Sequence, residues 1–168
     1  MRPSILALLL LAPLGAQTAA PRGDVFAPLR FLVGEWRGEG DGRPGASAGM
    51  AAFRFELEGR ALVRHSHADY PAANGRPASH HEDLLTVFAE GGQLKALYLD
   101  NEDHVIRYLV AGTPEGAVFT SETGPGPRFR MTYLKKAESL VSLRFEFAPP
   151  GKPEAFTAYI EATLRKVK

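Results

Sequence analysis

The stretch Phe53-Arg54-Phe55-Glu56-Leu57-Glu58 alternates apolar with charged side chains at every step. Successive side chains of an extended chain point to opposite faces, so the pattern predicts a β-strand with Phe53, Phe55 and Leu57 against a core and the charges in water. Arg128-Phe129-Arg130-Met131-Thr132-Tyr133 repeats it, with Phe129, Met131 and Tyr133 on the inner face. Working outward from these two, β-like runs cover 32–40, 50–58, 61–70, 81–89, 93–100, 105–110, 117–122, 128–135, 140–148 and 156–166. The separators, among them Glu90-Gly91-Gly92, Asn101-Glu102-Asp103, Gly124-Pro125-Gly126-Pro127 and Pro149-Pro150-Gly151, carry the residues that reverse a chain. Helical periodicity is confined to 25–32. About ten strands joined by short links would leave unpaired edges in an open sheet, and closure removes them. The expected fold is therefore all-β, an up-and-down antiparallel barrel of about ten strands with a short N-terminal helix. The loosest stretches, 41–49 and 71–79, are rich in Gly, Ala, Pro and Ser and read as loops bordering a barrel mouth.

Composition narrows the function classes. Lys and Arg number 20 against 19 Asp and Glu, a formal net charge of +1, so no strong field favours nucleic acid. With no cysteine there is no disulfide, thiolate zinc site, cysteine nucleophile or acylated cysteine. The serines lack a nucleophile-elbow context, and Gly38-x-Gly40-x-Gly42 follows a strand without opening a helix, so it is not a dinucleotide fingerprint. No catalytic residue is assigned.

The first 20 residues read as an address. Arg2 precedes an apolar run at 5–11, and the small residues Gly15, Ala16, Thr18, Ala19 and Ala20 follow. That order is a secretory signal peptide, and the run is far shorter than the about 20 residues that span a bilayer. The expectation is cleavage after Ala16 or Ala19, a barrel domain over 21–168, periplasmic or secreted localisation, and no stable membrane anchor.

Leu32-Val33-Gly34-Glu35-Trp36-Arg37-Gly38-Glu39-Gly40 opens the first strand just after the helix. It resembles the Gly-x-Trp opening of the calycin superfamily of lipocalins, fatty-acid-binding proteins and nitrobindin-like barrels. The resemblance implies that Trp36 plugs one end of the barrel and that Arg165, on the last strand, lies across it. The nitrobindin group is similar in its Trp-x-Gly-x-Gly opening, in Gly75-x-Pro77 followed by His80 and Glu82, and in the last strand, Tyr159-Ile160-Glu161-Ala162-Thr163-Leu164-Arg165. Tyr159 stands where that group's haem-ligating histidine would be, and tyrosine is a less common axial ligand. The chain also looks similar to uncharacterised bacterial lipocalin-like domains, which imply no activity.

Two polar constellations stand out. His65 and His67 share one strand face, and His81 and Asp83 share a face of the next; on adjacent antiparallel strands these four could form an imidazole and carboxylate set for a divalent metal. The alternative is a polar outer face. Arginine and tyrosine inside such a barrel suit a carboxylate headgroup. Arg54, Arg130 and Arg144 sit between apolar neighbours and read as outward, which leaves Arg107 as the inward candidate.

The function expected first is noncovalent binding of a small hydrophobic or amphipathic ligand, lined by Phe53, Phe55, Tyr98, Tyr108, Met131, Tyr133 and Tyr159, with Arg107 or the histidines at its polar end. A haem-binding protein, a metal-dependent enzyme, and a partner-binding domain with a filled core are the alternatives.

Overall fold

The computed structural model describes residues 24–40, 49–72, 75 and 77–167. Among them, ten strands close into one barrel: β1 (Gly34–Gly40), β2 (Gly49–Glu56), β3 (Ala61–Tyr70), β4 (Ser79–Glu90), β5 (Gln93–Asp100), β6 (Val105–Thr113), β7 (Gly116–Ser121), β8 (Arg128–Ala137), β9 (Leu140–Ala148) and β10 (Thr157–Lys166). Each pairs antiparallel with its neighbours in sequence, and β1 pairs with β10 to complete the ring. The expected leader at residues 1–20 and residues 41–48 of the expected loop 41–49 lie outside the described residues.

The N-terminal helix is a 3-10 helix, Ala27–Leu32, not an α-helix. Six residues with a proline at the second position give too few i→i−4 bonds to sustain an α-helix, and tighter 3-10 turns serve such short connectors. This helix takes up Leu32, which the alternation placed in the first strand. Leu57, expected inward, instead begins a second 3-10 turn at positive φ and is 72% exposed.

In an up-and-down barrel all odd-numbered links fall at one end and all even-numbered links at the other. The 3-10 helix, the turns after β2, β4, β6 and β8, and the end of β10 therefore share one end. There Leu29, Leu32 and Trp36 are fully buried. Trp36 Nε1 donates to the Leu32 carbonyl at 2.6 Å, so the plug is hydrogen-bonded as well as packed.

The residue across Trp36 is Lys166, not Arg165. Register sets Trp36 opposite Lys166 and Arg37 opposite Arg165, so Lys166 shares the inner face with the indole. Its Nζ lies 5.3 Å from the Trp36 ring. Gly34, at φ +131°, makes room for it: a Cβ there would fall 2.6 Å from Lys166 Cε. Arg165 points outward and pairs with Glu39 at 2.8 Å.

Candidate functional site

The same inner faces carry an apolar lower half and a polar centre. Near the plug, Phe53, Leu62, Leu85, Val87, Phe119, Tyr133 and Val141 are each at most 1% exposed. Above them β3 turns Arg64 inward, because Arg64 shares parity with Leu62, and β4 turns Asp83 and His81 inward in line with Leu85 and Val87. Arg64 is 6% exposed and donates through Nε and Nη2 to Asp83 Oδ1, at 3.1 and 2.6 Å. Its Nη1 donates to the Tyr133 hydroxyl and meets Met131 Sδ at 3.4 Å.

Burial works against the charge on Arg64, but Asp83 beside it, with the oxygens of Tyr133 and Tyr98, holds the guanidinium firmly protonated. Burial also opposes the Asp83 carboxylate, and Arg64 and His81 outweigh it, so Asp83 titrates below its ordinary value. Burial pushes the Tyr98, Tyr108 and Tyr133 hydroxyls up, which keeps them neutral. The centre of the barrel is thus a compensated ion pair ringed by neutral hydroxyls.

Towards the end away from Trp36 the polar group continues. His81 Nε2 lies 3.2 Å from the Tyr98 hydroxyl and 3.6 Å from Asp83 Oδ2, and its Nδ1 lies 3.2 Å from Glu102 Oε1. Tyr98 donates its proton to Asp100 Oδ2 at 3.1 Å, so it accepts from His81. Both ring nitrogens then face acceptors, which favours the imidazolium. Asp83 raises the His81 pKa most, burial opposes it and Glu102 adds to the rise, bringing it to about 9. Asp100 is held by the backbone N–H groups of Glu102 and His104 and by His104 Nδ1 at 2.8 Å. Its carboxyl is lowered against the cost of its burial.

The residues singled out from sequence divide. Tyr98 lies in this polar group, and Met131 and Tyr133 touch Arg64. Phe53 and Tyr108 pack the sealed core, while Phe55 belongs to the plug, edge-on to Phe26. Arg107 is exposed: its strand turns Ile106 and Tyr108 inward, so the inward arginine is Arg64. Tyr159 is 74% exposed, and the β10 register slips between Ala158 and Ile160, leaving Tyr159 as the bulged residue. A haem inside the barrel therefore has no axial ligand in Tyr159.

The four residues of the expected metal set lie on two faces. His65 and His67 are exposed on the outer face, where His67 stands opposite Glu82 in the register and stacks near His80. His81 and Asp83 are inside. Parity within each strand was readable, but the register that relates the two strands was not. Among the described residues, His81, Asp100 and Glu102 are the group whose ligand atoms converge, all within 4.8 Å of one another.

The chain matches no protein-family model, and no curated protein matches it. The closed ten-stranded antiparallel barrel is consistent with a calycin-like fold.

Proposed function

We propose that the protein is an exported barrel that binds one small amphipathic molecule noncovalently in the half of its interior away from Trp36. The supporting observation is a gradient of burial along the inner faces. On β3 Leu62 is sealed and Ser66 half-exposed; on β4 the same holds for Leu85 and His81, on β8 for Tyr133 and Phe129, on β9 for Val141 and Phe145, and on β10 for Leu164 and Ile160. Half-exposed inward side chains towards the end away from Trp36, set above a row of sealed ones, support a mouth above a packed floor.

The mouth has two unlike walls. β4 and β9 stand five strands apart in a ring of ten, hence opposite one another. His81 and Tyr98 with the carboxylates form one wall; Phe129 and Phe145, stacked at 5.8 Å, form the other with Ile160. An amphipathic ligand suits this pairing: its apolar part removes the phenylalanine faces from water, and its polar end meets hydroxyl and imidazole groups. The buried Arg64 is already committed to Asp83, so it serves as the polar floor.

The test uses the neutral dye N-phenyl-1-naphthylamine, followed by displacement with lipid extract and native mass spectrometry of the complex. The reading expects saturable fluorescence that Ile160→Trp, which fills the mouth, lowers at least about tenfold in affinity with the fold retained. No dye binding and no retained molecule would instead favour a partner-binding domain with a filled core. Export is tested by sequencing the N-terminus of protein recovered from a secreting host.

A further inference from the structure

We propose that His81, Asp100 and Glu102 form a site for one divalent first-row transition ion, zinc being the type, at the rim of the barrel mouth. The site shares His81 with the polar wall proposed above but does not need a ligand in the mouth, and zinc is titrated into protein that holds none.

The topology places the three residues together. His81 projects inward from β4, Asp100 ends the neighbouring strand β5, and Glu102 lies in the turn that follows. That turn is fixed on β4 by Asn101, whose side chain accepts from the Glu82 N–H and donates to the His80 carbonyl. Once the ion displaces a ring proton of His81 to solvent, one imidazole nitrogen and two carboxylate oxygens within 4.8 Å form a nitrogen and oxygen donor set. Metal–ligand bonds of 2.0 to 2.2 Å in a tetrahedral site give ligand separations of about 3.3 Å. His81 Nδ1 and Glu102 Oε1 already stand 3.2 Å apart.

The surroundings orient the ligands. Asp100 is 97% buried as a side chain, and its Oδ1 is pinned by two backbone N–H groups. Tyr98 and His104 both hydrogen-bond the other oxygen, Oδ2, which would turn to the ion in exchange for one of these two donors, and Tyr98 also touches His81. Hydrogen-bonding residues of this kind hold ligating groups in place and contribute to metal affinity. His81 ties the site to a transition ion, because calcium and magnesium take oxygen ligands alone. Three protein ligands leave a fourth position for water.

The experiment is calorimetric titration of zinc into tag-free, chelator-stripped full-length protein, with magnesium and calcium as comparison ions. The proposal expects one zinc per chain, weak or no binding of the other two ions, and affinity reduced at least about tenfold in both His81→Ala and Glu102→Gln. His67→Ala, on the outer face, leaves binding unchanged. If His81→Ala does not fold, Glu102→Gln alone decides, since its side chain is exposed in the turn. Absence of stoichiometric zinc binding overturns the proposal. So does binding that persists in Glu102→Gln, or that is lost in His67→Ala, which would place the ion on the outer histidines.

Discussion

The guanidinium of Arg64 donates through two nitrogens to one oxygen of Asp83, inside the barrel, where both side chains are at least nine-tenths buried. Removing one partner of such a pair leaves an uncompensated buried charge. Arg64→Met is expected to lower stability by about 3–5 kcal/mol, and Arg64→Met with Asp83→Leu to recover most of that loss. Urea denaturation of the two variants checks the difference. Equal destabilisation in both would mean that the pair is not acting as a unit.

At the plug the two basic residues of β10 have different partners, and their substitutions separate. Arg165→Ala removes an exposed ion pair with Glu39 and is expected within about 0.5 kcal/mol of the parent. Lys166→Ala removes both the cation over the Trp36 ring and the methylene stem against Gly34, and is expected to lower stability by about 1 kcal/mol. Thermal melts of both variants rank them.

The His81 imidazolium sets an alkaline limit in metal-free protein. Its folded pKa, about 9, lies above the ordinary value of 6.5, so its contribution is fully present below pH 6.5 and is lost as pH rises through 9. Asp83 and Asp100 act at the other extreme: both are lowered from 3.8, so their contributions are present above pH 3.8 and vanish as pH falls through the lower folded values. Chemical denaturation between pH 6 and 10, with chelator present, should show a decline that His81→Asn flattens. NMR of the His81 ring should place its titration near 9.

Gly116 tolerates no side chain. A Cβ there would lie 1.9 Å from the Tyr133 carbonyl oxygen and 2.9 Å from its carbonyl carbon, both backbone atoms that cannot swing aside. Gly116→Ala should therefore force β7 from β8 and destabilise by about 1–3 kcal/mol or more, measured by urea midpoint.

Strand positions were legible because alternation and turn chemistry coincide at nearly every link; β3, β5 and β9 agree with their sequence-read bounds end to end. The site was only half legible. Asp83 shares parity with Leu85 and Val87, which places a carboxylate inside and demands a cation, and Arg64 in line with Leu62 was that cation. Its signal was masked because Ala61 and Val63 compete for the core from the other face of β3. Arg107 misled for a related reason: Val105 and Leu109 are apolar but exposed, so the outer face imitated an inner one. The meeting of His81 with Glu102 depends on the β4 to β5 register and on the path of a turn, neither of which local pattern encodes.

The slip at Tyr159 inverts the two-residue rhythm of the last strand. Ile160, Ala162 and Leu164 keep to the lumen, while Phe156 lies outside, with its ring 4.2 Å from the Arg130 guanidinium. One added position thus divides a single strand into two stretches of chain, one answering to barrel closure and the other to an external clasp on β8. Deleting that one position would force the choice: either the clasp swings into the lumen or the seam with β1 loses its apolar lining.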